Sequence, residues 1–387
     1  MIMARVIDGH LYMSVKFYGE RLRLARLIKG CTLQELGDSV AVTRQSIHQY
    51  ESDVRAPAED VINALAEFLK VSPTFFELTL SGDVKPEQCH FRKRQTTPAG
   101  VKNRVQAYST ILEQLVSELH EYLDLPENRF NLIDNDKIPE LTATVIEKIA
   151  EGARIRWGLT SDSPIDNVVN VVENQGAIVT CFDGVSDKVD ALSVNRKYPI
   201  IIRNTAKESV CRMRFDLAHE CGHLVMHDGI ETGCKKTERE ADAFASAFLF
   251  PRKSFAREFP SCLDVNGNII WKEVYKLKLR WKISAKAIVY RAHFLGFINA
   301  QQYRSANVWF SKTRQTRKEK YDEKIPLETP HVLEESLDIL KEQLGVSFEM
   351  LAIKLGVTPE LLADISGVRY TANDASEHDE VVIPFNF

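Results

Sequence analysis

The sequence lacks any long apolar run, and none of its hydrophobic stretches approaches the length that crosses a membrane. Its first residues also lack the charged-then-apolar layout of a secretory signal. These two absences argue against a membrane-spanning or secreted protein. We therefore expect a cytoplasmic chain with no membrane partner.

Paired cysteine motifs are absent as well. The seven cysteines are scattered, odd in number and without a C-x-x-C pair. This distribution is typical of reduced thiols and argues against a disulfide framework. Cys211, Cys221 and Cys234 flank the candidate site described below, and we interpret them as packing residues.

An excess of basic charge is also missing. The formal net charge of −4 gives no general attraction to nucleic acid, so any DNA binding must come from a local surface. What is present is the composition of a globular protein, with 44% apolar and 27% charged residues. A chain of 387 residues is too long for one ordinary core and predicts several domains.

An H-E-x-x-H pattern lies within an apolar stretch at residues 215–227. His219 and His223 are four residues apart, so on a helix both imidazoles can reach one metal ion. Glu220 lies beside them, close enough to take a proton from a water at that ion without ligating it. This is the arrangement that a zinc hydrolase needs.

A second helical stretch, which ends at Pro251, carries acidic residues. Glu238 would complete a His, His, Glu site for Zn²⁺, and Asp242 would hold a ligand imidazole from behind. Glu240 is the alternative third ligand, although it lies on a different helix face. His227 is too far along the first helix to share the ion, and we interpret it as a helix-end residue or a hydrogen-bonding group on the substrate side.

These two stretches resemble the ImmA/IrrE family of zinc metallopeptidases over residues 168–251. The family's R-x-x-F-x-x-A-H-E-x-x-H pattern is matched by Arg212, Phe215 and Ala218 together with the motif itself, and its E-x-x-A-[DN]-x-F-A element is matched at 238–245. Cys221 departs from the family, which usually has an aliphatic residue there. The resemblance implies cleavage of a partner repressor or antitoxin-like protein.

Three β-rich segments precede the motif, at residues 177–182, 191–194 and 198–202. A zincin fold requires such strands before its metal helix, with one edge strand that pairs with an extended substrate backbone. The sequence leaves open which of the three is that edge.

Residues 19–78 show a pattern of short helices. A capping box at Thr32 and Glu35 opens a helix at 33–39, and Thr43 caps a third helix at 44–51, which is the helix-turn-helix arrangement. In the third helix Ile47 and Tyr50 would anchor the bundle. The outer face would carry Arg44, Gln45, His48 and Gln49.

This segment resembles the phage-repressor-like (XRE family) helix-turn-helix family, with residues 43–51 as the recognition element. The resemblance implies that Arg44, Gln45 and Gln49 contact bases, since Arg and Gln read guanine and adenine edges. Acidic residues slightly outnumber basic ones in this segment, so non-specific phosphate affinity should be low. We expect operator binding to double-stranded DNA as a homodimer, and a bundle for protein contacts only is the alternative.

Together these features predict a multidomain, mainly α chain with an α+β part. The predicted domains are an all-α helix-turn-helix domain at 1–80, a linker and helical connector at 81–160, a zincin-like metallopeptidase domain with a small β-sheet at 161–260 and a helical C-terminal region at 261–387. The predicted function is a DNA-binding regulator that cleaves a partner protein. The alternative is a transcriptional repressor or antitoxin whose zincin domain binds a partner or senses a signal without cutting.

Overall fold

The computed structural model describes residues 5–7, 10–12, 16–80, 89–91, 98–133, 140–182, 191–204, 209–230 and 232–370. The strands are β1 (Arg5–Ile7), β2 (His10–Tyr12), β3 (Cys89–Phe91), β4 (Ile178–Phe182), β5 (Ala191–Val194) and β6 (Ile200–Asn204). The helices are α1 (Gly19–Lys29), α2 (Leu33–Ser39), α3 (Arg44–Glu51), α4 (Glu59–Leu69), α5 (Ala99–Tyr122), α6 (Ala143–Arg156), α7 (Val168–Glu173), α8 (Val210–Met226), α9 (Lys235–Leu249), α10 (Arg252–Glu258), α11 (Trp271–Trp281), α12 (Ala285–Phe294), α13 (Ala300–Lys312), α14 (Val332–Leu344), α15 (Phe348–Leu355) and α16 (Pro359–Ser366). The predicted fold class, mainly α with an α+β part, is confirmed.

The chain forms two compact units. The first combines Met1–Val84, Pro98–Tyr122 and Ser336–Phe387, and the second combines Lys85–Thr97 and Leu123–Glu335. Each unit is therefore built from stretches that are distant in sequence. The four consecutive domains expected above stay a prediction about boundaries.

The first unit begins with the helices α1 to α4, whose ends follow local sequence signals. Thr32 and Glu35 form the predicted capping box of α2, and the Thr43 side chain accepts a hydrogen bond from the Ser46 amide at the start of α3. Gly37 is required at the turn, because a Cβ there would lie 2.7 Å from the Val42 carbonyl oxygen. These contacts fix the spacing between α2 and α3.

The last helices of the chain complete this first core. The turn between α15 and α16 has a left-handed Gly356 (φ 70°) followed by Val357 and the N-cap Thr358, as the α2–α3 turn has a left-handed Ala41 (φ 55°) before its own Val-Thr pair. The Ser72 amide donates to the Gly356 carbonyl at 2.8 Å, and Val357 forms a β-bridge with Val71. Residues from both ends of the chain thus share one packed interior.

The second unit contains a four-stranded sheet in the order β3-β5-β6-β4. Strands β4 and β6 are parallel, and β5 runs antiparallel to β6. Strand β3 pairs antiparallel with β5. The three predicted strands are therefore confirmed, and a fourth is added from a segment that the sequence analysis had assigned to the linker.

Helices α6, α8 and α9 pack around the main core of the second unit, which buries apolar side chains from Phe130 to Phe310. Gly222 lets α8 approach α9, because a Cβ at this position would lie 3.2 Å from the Ala241 Cα and the Phe244 ring. A buried ion pair, Arg291 to Glu147 with two contacts of 3.0 and 3.1 Å, ties α12 to α6. None of the helices in the described ranges is both long and apolar enough to span a membrane.

Candidate metal centre

Helices α8 and α9 bring the predicted metal ligands together. His219 and His223 lie one turn apart on α8 with their Nε2 atoms 3.1 Å from each other. Glu238, in the first turn of α9, places one carboxylate oxygen 3.6 Å from His219 Nε2 and the other 3.5 Å from His223 Nε2. These three residues form a cluster whose potential ligand atoms all lie within 4.8 Å of one another.

The size of this cluster fits a tetrahedral zinc ion. Ligand atoms that each lie about 2.0–2.2 Å from zinc are separated by about 3.3–3.6 Å along the edges of a tetrahedron. The measured separations of 3.1, 3.5 and 3.6 Å fall around that value. Two imidazole nitrogens and a carboxylate are also a donor set that zinc takes in hydrolases.

Hydrogen bonds behind each imidazole support the same fit. His219 Nδ1 lies 2.8 Å from Asp242 Oδ1, and because a carboxylate only accepts, this nitrogen donates its hydrogen. His219 Nε2 then presents a lone pair to the cluster. Asp242 therefore lies where the sequence placed it, behind a ligand imidazole.

His223 is oriented through a second histidine. His227 Nε2 donates to Glu240 Oε2 at 3.0 Å, so His227 Nδ1 accepts from His223 Nδ1 at 2.9 Å. His223 Nε2 thus also presents a lone pair, facing that of His219 at 3.1 Å. Two lone pairs at this distance repel each other, and a cation bound between the two nitrogens would remove that repulsion. This is the strongest structural indication of a metal site.

The two candidate third ligands make different contacts. Glu238 lies in the cluster, whereas Glu240 contacts His227. His227 is the C-cap of α8, as predicted for a helix-end residue, and its ring contacts His223 and Glu240. Burial lowers the pKa of His227 despite the neighbouring Glu240, which favours the neutral ring that the hydrogen bonds require.

Glu220 lies beside the two ligand histidines on α8 and is fully buried. Its Oε2 accepts a hydrogen bond of 2.6 Å from the Ser193 hydroxyl on β5. This contact was not predicted, because nothing in the local sequence connects β5 to α8. It fixes the carboxylate at the side of the metal helix that faces the sheet.

The three cysteines that flank the site differ in environment. Cys211 and Cys221 are buried, and burial raises the pKa of Cys211 to about 12 and that of Cys221 well above its ordinary range. Cys234 is exposed before α9, and a hydrogen bond with Thr237 lowers its pKa. Two of the three therefore behave as the packing residues that were expected, and Cys234 is the one accessible to thiol reagents.

Helix α3 presents the predicted base-reading side chains on one face. Arg44, Gln45 and His48 are exposed and Gln49 is half-buried. Ile47 and Tyr50 point into the core at 0% and 4% exposure. An ion pair between Arg26 and Glu51 holds the C-terminal end of α3 on α1.

Comparison with known families finds two domain matches in the chain. Residues 173–293 match the family model of the IrrE N-terminal-like domain, a peptidase family. That stretch of the chain is therefore similar to an IrrE N-terminal-like domain. Residues 22–76 match the helix-turn-helix model, so the predicted fusion of the two modules is confirmed. No curated protein is similar enough to the chain to count as a match.

The IrrE N-terminal-like domain contains the whole cluster, since the match begins at the end of α7 and ends within α12. It also contains β4, β5 and β6 but not β3, which lies earlier in the chain. The helix-turn-helix match covers α1 from its fourth residue through the turn after α4. The chain thus joins a DNA-binding module to a metallopeptidase-like module.

Proposed function

We propose that this chain is a DNA-binding regulator whose zinc-dependent endopeptidase domain cleaves a partner repressor or antitoxin-like protein. The observation that carries the proposal is the pair of imidazole Nε2 atoms of His219 and His223, held 3.1 Å apart beside the Glu238 carboxylate. Zinc held by His219, His223 and Glu238 would supply Lewis acidity towards a water molecule and a peptide carbonyl.

Glu220 is the general base of the proposed reaction. Its carboxylate accepts a proton from the attacking water as the new carbon–oxygen bond forms, and returns that proton to the nitrogen as the peptide carbon–nitrogen bond breaks. The Ser193 hydroxyl donates to one oxygen of Glu220 and so keeps the carboxylate oriented.

Operator binding is the second half of the proposal. Arg44, Gln45, His48 and Gln49 would face the bases, with Arg44 and Gln45 at the N-terminal end of α3 that enters the major groove. Few basic residues surround them, so we propose a homodimer that adds two modest half-sites. The affinity should then depend steeply on the spacing of the half-sites.

One experiment tests catalysis directly. The purified protein and its Glu220→Gln variant are mixed with repressor or antitoxin-like proteins encoded beside its gene, and fragments are identified by mass spectrometry. We expect zinc-dependent fragments from the unchanged protein alone. Equal cleavage by both proteins, or none by either, would contradict the peptidase function.

The second candidate function is partner binding without cleavage by the metallopeptidase-like domain. The complete burial of His219, Glu220 and His223 favours this alternative. It predicts that partner binding, measured by calorimetry, is the same for the unchanged protein and the Glu220→Gln variant while the partner stays intact in both mixtures.

A further inference from the structure

Strand β5 is the sheet element nearest the candidate catalytic group, because its Ser193 hydroxyl contacts Glu220 at 2.6 Å. Among the three predicted strands it is one of the two terminal ones, with β4 the other, since β6 lies between them. Of these two strands, β5 is the one whose side chain contacts Glu220. Strand β5 is the edge along which an extended peptide would pass beside the metal cluster.

That edge is already paired. Strand β3 runs antiparallel along β5 in a register that sets Cys89 opposite Val194, His90 opposite Ser193 and Phe91 opposite Leu192. The central pair therefore includes the serine that contacts Glu220. An extended substrate would need the same row of backbone N–H and C=O groups on β5.

We propose that β3 is an internal strap that occupies the peptide-binding edge of β5 and excludes substrates until it leaves. The inference rests on the proposed peptidase function and adds a regulation to it. Because the strap belongs to the same chain, it competes at an effective concentration on the order of millimolar, which is enough to exclude weakly binding peptides.

The dimensions of the strap suit a reversible contact. It is three residues long, so it forms few ladder hydrogen bonds, and a longer peptide that pairs along all of β5 can replace it. With β3 in place, Ser193 and Glu220 are both fully buried.

Chain connectivity gives the strap a covalent link to the helix-turn-helix unit on both sides. The stretch Lys85–Thr97 belongs to the second compact unit, whereas Met1–Val84 before it and Pro98–Tyr122 after it belong to the first. The residues that leave β5 when the strap is released are therefore continuous in sequence with the first unit at both ends, and the chain also joins the two units at Tyr122–Leu123 and at Glu335–Ser336.

The register allows the strap to be locked. Partner Cα atoms in an antiparallel pair lie about 4.5–5.5 Å apart, within the range of about 4.4–6.8 Å that disulfides span. A Val194→Cys substitution places a thiol opposite the native Cys89. The double variant Cys89→Ser/Val194→Cys, oxidised in parallel, controls for the other cysteines. The opposite change, Cys89→Gly/His90→Gly/Phe91→Gly, weakens the strap.

The measurement is binding of a fluorescent synthetic peptide with the sequence of residues 85–97, followed by anisotropy in a Glu220→Gln background so that no cleavage intervenes. We expect the triple-glycine variant to bind the peptide about tenfold more tightly than the protein with the unaltered strap does. The oxidised Val194→Cys variant should show no binding, and reduction should restore the level of the serine control.

The proposal would be overturned if the proteins with a locked, an unaltered and a weakened strap all bound the peptide with the same affinity. It would also be overturned if the Val194→Cys protein formed no disulfide with Cys89 while circular dichroism showed that it remained folded. Strap-dependent peptide binding by a protein that cleaves nothing would support the strap and remove the peptidase function. The two proposals therefore fail separately.

Discussion

The helix-turn-helix and the metal centre differ in how far their functional side chains are exposed to solvent. Helix α3 leaves Arg44, Gln45 and His48 exposed and buries the residues that anchor it. The metal centre buries His219, Glu220 and His223 completely and supports each ring from behind with a further side chain. Side chains that read DNA have to be exposed so that they can enter an open groove. A small ion instead needs ligands that are already held in position when it binds.

The largest expected effect comes from removing a ligand. A His223→Ala substitution should lower zinc affinity by more than about a hundredfold, the upper end of what loss of an outer-shell partner costs. Zinc content is measured by mass spectrometry and affinity by chelator competition. Operator binding should be unchanged, and EDTA treatment of the unaltered protein should likewise remove cleavage and leave DNA binding. A parallel loss of DNA binding would break the contrast between the two sites.

The next effect is at the exposed site. Arg44→Ala and Gln45→Ala should each weaken operator binding by about tenfold, since a bidentate base contact contributes about 1–3 kcal/mol. Fluorescence anisotropy with operator and scrambled duplexes measures the loss, and Arg23→Ala on α1 is the exposed control. Zinc content should stay at the unaltered level. If Arg23→Ala weakens operator binding as much as Arg44→Ala does, α3 is not the helix that contacts the bases.

The support behind His223 gives a smaller effect. His227→Phe keeps the ring volume but removes the hydrogen bond to His223 Nδ1, so zinc affinity should fall about 10–100-fold. Glu240→Gln should lower zinc affinity by a smaller factor, because the amide oxygen of the glutamine still accepts a hydrogen bond from His227. The control is His293→Phe, which alters a histidine on α12 of the same unit. Equal affinities for the two phenylalanine variants would show that His227 does not orient the ligand.

The smallest effects concern packing. Gly37→Ala and Gly222→Ala should each lower the free energy of unfolding by about 1–3 kcal/mol, because the added Cβ meets fixed neighbours. Gly152→Ala, in a helix with nothing within 4 Å of the new Cβ, should raise it by about 0.5–1 kcal/mol. Urea unfolding measures all three, and a destabilised Gly152→Ala variant would contradict the packing argument.

Local signals predicted much of the fold. The bounds of α2 and α3 were predicted from the Thr32 and Thr43 caps and the apolar spacing, and the structure confirms them. The choice of Glu238 over Glu240 as the residue nearer the histidines also followed from spacing, because Glu238 and Asp242 share one helix face. In these cases partners lie within a few residues of each other.

Long-range pairings were missed for a physical reason. The contact from Ser193 to Glu220, the strand β3 and the chain from Glu240 through His227 to His223 join residues on different elements. One sequence carries no periodicity that records such partners.

The closing turn at Gly356 has a consequence for how the protein is made. Its carbonyl accepts a hydrogen bond from the Ser72 amide, and the Thr358 amide donates to the Lys70 carbonyl, so the DNA-binding bundle is completed by residues that the ribosome adds 284 positions after Ser72. A nascent chain that already displays α3 still lacks these contacts until the peptidase-like module has been translated. A chain that stops before Gly356 therefore lacks part of the packing around the helix-turn-helix.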